Sequence, residues 1–250
     1  MLSIENLSKS FGGVVAIRDV SLNFTPGSLT AVIGPNGAGK TTFFNLIMGS
    51  LLPDQGRILL GGENIAGLPT PQIVRRGIAR AFQIASIFPS LTVREALLAA
   101  VNAQRQQHAK LLARFPLAAS RDRAQEIMHM VGLAMKADMV SRSLSHGDQK
   151  LLDIALALVL EPRVLLLDEP TAGMGPEERW LMIDTVHRLW EREKMTLVFI
   201  EHDMDIVFKI AQSIAVLSYG RVLAEGTPAA IRQHPAVIEA YLGSEYAGRA

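Results

Sequence analysis

Eight consecutive residues constrain this chain more than any others: Gly34-Pro35-Asn36-Gly37-Ala38-Gly39-Lys40-Thr41. They follow the apolar run Ser28–Ile33, which reads as a strand, and a helix is predicted directly after Gly39. Glycines at the first, fourth and sixth positions let backbone N–H groups curl around an anion, and the N-terminus of the following helix adds a partial positive charge. In such a loop Lys40 neutralises β- and γ-phosphate charge, and the Thr41 hydroxyl is suited to hold Mg²⁺. A loop of this kind needs a strand that enters it and a helix that leaves it.

The rest of the chain has the matching rhythm. Strands are predicted at Ser28–Ile33, Arg57–Leu60, Ile78–Phe82, Arg163–Leu167, Thr196–Ile200, Ser213–Leu217 and Arg221–Ala224, with helices after Gly39, Thr92, Ser145 and Gly175. Strands alternating with helices describe an α/β fold, here a P-loop NTPase core with a mostly parallel sheet. Leu2–Asn6 and Val14–Phe24 alternate in polarity and are expected to form an antiparallel β edge at the N-terminus. Thr92-Val93-Arg94-Glu95 is a capping-box pattern, and Pro176 followed by Glu177 and Glu178 is a second helix start. The stretch from Glu95 to about Ser143 carries no strand signal and reads as an α-helical subdomain inserted into one domain spanning residues 1–250.

Composition closes off several classes of function. With 25 basic and 24 acidic side chains the formal charge is +1, so nothing pulls the chain toward nucleic acid. The absence of cysteine excludes a disulfide scaffold, a thiol nucleophile and a thiolate metal site. The mean hydropathy of +0.23 is high, yet the longest apolar runs fall well short of the roughly 20 residues that span a bilayer. The N-terminal residues show no export signal, and the apolar excess points instead to a surface meant for a partner.

Several further residues carry chemistry. Asp168-Glu169 ends the apolar run Val164–Leu167; beside a phosphate loop Asp168 would bind Mg²⁺ and Glu169 would polarise an attacking water. His202 ends the strand Thr196–Glu201, from which it can reach a γ-phosphate, and Gln83 ends the strand Ile78–Phe82. In Ser143-Leu144-Ser145-His146-Gly147-Asp148-Gln149, Ser145 caps a helix. The serine hydroxyl and the Gly147 N–H also make a second anion site, able to grip a nucleotide held by a different chain. Ile84-Ala85-Ser86-Ile87-Phe88-Pro89 is either a buried loop or one wall of a groove for a membrane partner's helix.

In this order the motifs resemble the ATP-binding-cassette (ABC) ATPases over almost the whole chain. Gly34–Thr41 matches Walker A, Gln83 the Q-loop, Leu144–Gln149 the signature, Val164–Glu169 Walker B and His202 the switch histidine. The resemblance implies ATP and Mg²⁺ as cofactors. It implies Lys40, Gln83, Glu169 and His202 as catalytic groups, and a metal site of Thr41, Gln83 and Asp168. Residues Gly34, Pro35, Asn36, Gly37, Ala38, Gly39, Lys40, Thr41 and Thr42 would bind nucleotide. Ser145 and Gly147 would close over ATP on a second ATPase subunit. Phe11 would stack on adenine, with an ordinary edge-strand core residue as the alternative.

Two departures stand out. The signature has His146 and Asp148 where Gly and Gln are usual, and Gly175 replaces the aspartate that commonly ends the D-loop. Asp148, which would repel a phosphate, is expected to turn toward its own helix's N–H groups. The signature, Glu201-His202-Asp203-Met204, the insert Val101–Ala119 and the ending Gly226-Thr227-Pro228…Ile238-Glu239-Ala240-Tyr241-Leu242-Gly243 are similar to the ATPases of branched-chain amino acid importers. That likeness implies a homodimer or heterodimer of ATPases under two membrane permease subunits, at the cytoplasmic face of the inner membrane. A periplasmic solute-binding protein would act on it indirectly. Urea importers share the signature, whereas lipopolysaccharide-export ATPases usually keep Gly-Gly there. DNA- or ribosome-directed cassettes usually carry coiled coils or two cassettes, and Met135-Lys136-Ala137-Asp138 lacks the asparagine of a guanine-reading motif.

Overall fold

A computed structural model describes residues 1–81, 88–104 and 118–242. Two sheets organise them. The first joins β1 (Leu2–Phe11), β2 (Val14–Phe24), β4 (Gln55–Leu60) and β5 (Glu63–Asn64), all antiparallel, in the order β2-β1-β4-β5. The second contains β3 (Leu29–Ile33), β6 (Ile78–Ala81), β7 (Val164–Asp168), β8 (Thr196–Ile200), β9 (Ser213–Ser218) and β10 (Arg221–Gly226), in the order β10-β9-β3-β8-β7-β6. Its neighbours are parallel except for the β9–β10 hairpin. The helices are α1 (Lys40–Ile47), α2 (Thr70–Arg75), α3 (Val93–Gln104), α4 (Ala118–Met130), α5 (His146–Leu158), α6 (Pro176–Glu193), α7 (Met204–Ile210), α8 (Pro228–Arg232) and α9 (Pro235–Val237).

β3, β7 and β8 are buried at every position, as expected of parallel strands covered on both faces. Alternate residues serve different cores. Val32, Leu166, Val198 and Ile200 pack with α1 and with Leu2, Ile4 and Leu22 of the N-terminal sheet, so α1 is held between the two sheets. Ala31, Ile33, Leu165, Leu167 and Phe199 pack instead with residues of α3, α4, α5, α6 and α7. Phe43 and Phe44 of α1 are fully buried, and each contributes roughly 1.5–3 kcal/mol through the apolar area it hides. α1 therefore cannot shift without disturbing both sheets.

The expected antiparallel edge is larger than the sequence suggested. Arg57–Leu60 joins it as part of β4 rather than entering the parallel sheet, because only Ile58 and Leu60 are buried and Arg57 is exposed, the one-sided pattern of an antiparallel strand. The capping box before α3 forms in both directions: the Thr92 N–H donates to Glu95 Oε2 at 2.8 Å and the Glu95 N–H to Thr92 Oγ1 at 3.2 Å. Pro176 opens α6 with Gly175 as its N-cap; lacking a side chain, Gly175 makes only half of a capping box, its N–H donating to Glu178 Oε2 at 3.4 Å. Phe82, Gln83 and residues 84–87 lie outside the described residues, as do residues 105–117 of the insert.

Candidate active site

The C-terminal tips of β3, β7 and β8 are in register, with Val32 and Asp168 both opposite Ile200. In an open α/β sheet that end is where ligands gather. β3 runs into the glycine loop, whose shape is dictated by close backbone approach. Gly34 has φ +155°, and a Cβ there would lie 2.1 Å from the Leu217 carbonyl oxygen. Gly39 has φ +101°, and its Cβ would lie 2.4 Å from that of Ala16. Any larger residue at either position would have to displace backbone. No side chain caps α1 at Gly39, so the first-turn N–H groups remain for a ligand. Asn36, Gly37 and Thr41 are exposed, Pro35 and Thr42 half-buried, and Ala38 buried.

Lys40 is buried, and its Nζ donates to the carbonyls of Gly34 at 2.8 Å and Pro35 at 3.1 Å. Burial lowers its pKa, against the opposing pull of Glu169 and Asp168. The ammonium thus sits inside the loop, close enough to both carboxylates to feel their charge.

Asp168 ends β7, buried, in an ion pair with Arg80 of β6; the same guanidinium donates to Asn45 Oδ1 of α1 at 2.6 Å. Glu169 adopts φ +48°, a costly conformation for a side-chain-bearing residue, which persists only where its surroundings hold it. They do so from both sides: its N–H donates to the Ile200 carbonyl at 3.0 Å, and its own carbonyl accepts from Lys150 Nζ at 2.8 Å. Its Oε1 lies 2.8 Å from Nε2 of the exposed His202. Lys150 also donates to the Ala172 carbonyl at 2.9 Å. Its pKa is lowered by burial, while Glu201 and other nearby carboxylates act to raise it. Buried Glu201 accepts from the Thr171 N–H at 2.9 Å and from its hydroxyl at 2.7 Å. Two buried charges therefore fix the loop that follows Glu169.

Lys40, Asp168, Glu169 and His202 thus form one cluster at the sheet's C-terminal edge, while Gln83 lies outside the described residues. Phe11 ends β1, exposed, with Lys9 Nζ 5.5 Å from its ring centroid; it is not an edge-strand core residue. Ser145 caps α5, its hydroxyl accepting from the Asp148 N–H at 3.2 Å and donating to Asp148 Oδ2 at 2.8 Å. The expectation that Asp148 turns toward its helix's N–H groups is corrected here. The carboxylate bonds instead to the Ser145 hydroxyl and to Lys136 Nζ, because a full countercharge outcompetes a peptide dipole. Gly147 faces Met174 of its own chain.

Arg80, Lys150 and Glu201 were not foreseen. The one available signal was a charge inside an otherwise apolar run: Arg80 in Ile78–Phe82, and Glu201 directly after Thr196–Ile200.

A glycine loop between a buried parallel strand and a helix, with an acidic pair and a histidine on the neighbouring strand ends, defines a nucleotide-binding P-loop ATPase. Comparison with known proteins narrows this class. The "ABC transporter" family profile matches residues 17–172, and the "Branched-chain amino acid ATP-binding cassette transporter" profile matches residues 221–247. The high-affinity branched-chain amino acid transport ATP-binding protein LivG of Escherichia coli K12 is 40% identical, over 97% of this chain and 98% of that one. The ADP conformation of MJ1267, an ATP-binding cassette of an ABC transporter, superposes with a TM-score of 0.84 at 30% identity, covering 98% and 99% of the two chains. A dimeric post-hydrolysis state of the cassette MJ0796, bound to ADP and Pi, has a TM-score of 0.77 at 25% identity, covering 91% and 99%. The chain belongs to the ABC transporter ATPase family. Among the described residues no helix is long and apolar enough to cross a membrane.

Proposed function

We propose that this chain hydrolyses ATP to energise uptake of branched-chain or other hydrophobic amino acids, or related small polar solutes. The observation that carries the hydrolytic part is Glu169, held on both sides of its backbone with its carboxylate on His202, which follows β8, the strand paired with the one that feeds the phosphate loop. Glu169 acts as general base toward water, and His202 holds that carboxylate and positions the γ-phosphate. Lys40 gives up its bonds to Gly34 and Pro35 in favour of phosphate oxygens, joined by the N–H groups of Gly34 and residues 36–42. Phe11 stacks on the adenine ring.

The loop fits a nucleotide: its glycines are obligatory where backbone is crowded, and among the described residues its lysine bonds to carbonyls of the loop itself. Thr41 and Asp168, with Gln83, would hold Mg²⁺, which when bound supplies neutralisation of charge on the phosphoryl oxygens. Ser145 and Gly147 act on ATP held by a second cassette subunit, identical or different. The ending shared with the branched-chain family supports pairing beneath two permease subunits at the cytoplasmic membrane face, with residues 1–250 as one nucleotide-binding domain and about 95–143 as its helical subdomain. A periplasmic solute-binding protein is then an indirect partner. The net charge of +1 supports no nucleic-acid role.

Replacing Glu169 by Gln tests the assignment. ATP binding is expected to stay within about twofold, while turnover falls by roughly 10²–10⁴. Full ATPase activity in that variant would remove Glu169 from the role.

A further inference from the structure

We infer that Arg80 is the cation that stands in for Mg²⁺ at Asp168 whenever the phosphate loop holds no metal, and that it positions this carboxylate between turnovers. The inference rests on the reading of Asp168 as a metal-binding residue. Arg80 lies in β6 opposite Leu166, among the buried apolar residues Ile78, Ala79 and Ala81. Its side chain is 11% exposed and that of Asp168 5%. A guanidinium in such a place cannot shed its proton, so it is retained only if something there requires a positive charge.

The bonding says what that is. One terminal nitrogen binds Asp168 Oδ2, the other binds Asn45 Oδ1 at 2.6 Å, and the group lies 5.8 Å from the Phe44 ring centroid. Among the described residues the Nε has no hydrogen-bond partner, a cost accepted at this position. Lys40 and Lys150, which also sense Asp168, spend their bonds on backbone carbonyls, Lys40 on those of Gly34 and Pro35 and Lys150 on those of Glu169 and Ala172. Direct neutralisation of Asp168 therefore falls to Arg80. Asn45 stands four residues beyond Thr41, so the guanidinium also ties the tip of β7 to the helix that carries Thr41. With one carboxylate oxygen occupied, the rotamer is set before a metal arrives, as second-shell partners do for metal ligands elsewhere.

Removing Arg80 leaves a buried carboxylate without its bonded counter-cation in the metal-free protein, a loss that bound Mg²⁺ would repair. Thermal unfolding of the full chain is measured with no ligand, with ADP plus EDTA, and with ADP plus Mg²⁺. The Arg80→Met variant is expected to lose roughly 5–15 °C without ligand. Its Mg²⁺-specific gain, the midpoint with Mg²⁺ and ADP minus that with ADP and EDTA, should exceed that of the unaltered chain by several degrees. Arg80→Lys, which keeps the charge, should restore most of the unliganded midpoint, and Arg80→Met with Asp168→Asn should abolish the excess gain. A wild-type Mg²⁺-specific gain in Arg80→Met overturns the inference. Should that variant fail to fold, an Arg80→Lys chain with the midpoint of the Met and Asn double variant overturns it equally. A Mg²⁺-specific gain surviving in Asp168→Asn alone would instead contradict Asp168 as the metal-binding residue.

Discussion

Lys150 and Asp153 sit three residues apart on α5, both buried, with different fates. Lys150 finds the carbonyls of Glu169 and Ala172, whereas Asp153 Oδ2 has no hydrogen-bond partner among the described residues. Burial pushes the Asp153 carboxyl up to about 7, and the nearby Lys150 offsets only part of that. Between about pH 4 and pH 7 the folded protein therefore keeps a proton that the unfolded chain has released. Stability falls as pH rises across that window and levels off above it. The change is on the order of 2 kcal/mol once residual solvent screening is allowed for. Asp153→Asn should flatten the pH dependence of urea unfolding between pH 5 and 8 and stabilise the protein at pH 8. An unchanged slope would mean that Asp153 is already ionised in the folded state.

Among the elements, α5 carries the heaviest load. Its N-terminus presents Ser145 and Gly147, its second turn reaches the loop after Glu169 through Lys150, and its first turn is neutralised by Lys136. Lys136→Met would leave Asp148 without its countercharge on a surface proposed to meet a triphosphate. The KM for ATP should then rise about three- to tenfold with kcat little changed, and Asp148→Asn in the same chain should restore it. A KM unaffected by Lys136→Met would mean that the carboxylate does not sense the nucleotide. The start of α5 was legible because Ser145 and Asp148 act within three residues. The glycine loop, the Thr92–Glu95 box and the acidic end of β7 were readable for the same reason. Arg80, Lys150 and Glu201 were not, since their partners lie 19 to 88 residues away and a lone charge in a short run reads as solvated. The separate N-terminal sheet was only half visible: alternation marked its strands, but the pairing of β1 with β4 depends on chain closure that no local pattern encodes.

On the scale of the whole molecule, the parallel sheet transmits position. α1 is packed between two sheets, which anchors the helix that leaves the phosphate loop, while the opposite face of the same strands packs against the helices that include α5. Movement of α5 is thereby coupled to Glu169 through Lys150 and, in the proposed function, to a nucleotide on another subunit through Ser145. That two-chain clasp is the central claim. The chain has no cysteine, and both Asn36 and His146 are exposed, so each can be replaced singly by Cys in a Glu169→Gln background. The two variants are mixed and oxidised with and without Mg²⁺ and ATP. A covalent Asn36→Cys to His146→Cys dimer is expected to form with Mg²⁺ and ATP and not in their absence. Cross-linking that ignores nucleotide, or a single chain carrying both changes that closes on itself, would contradict it.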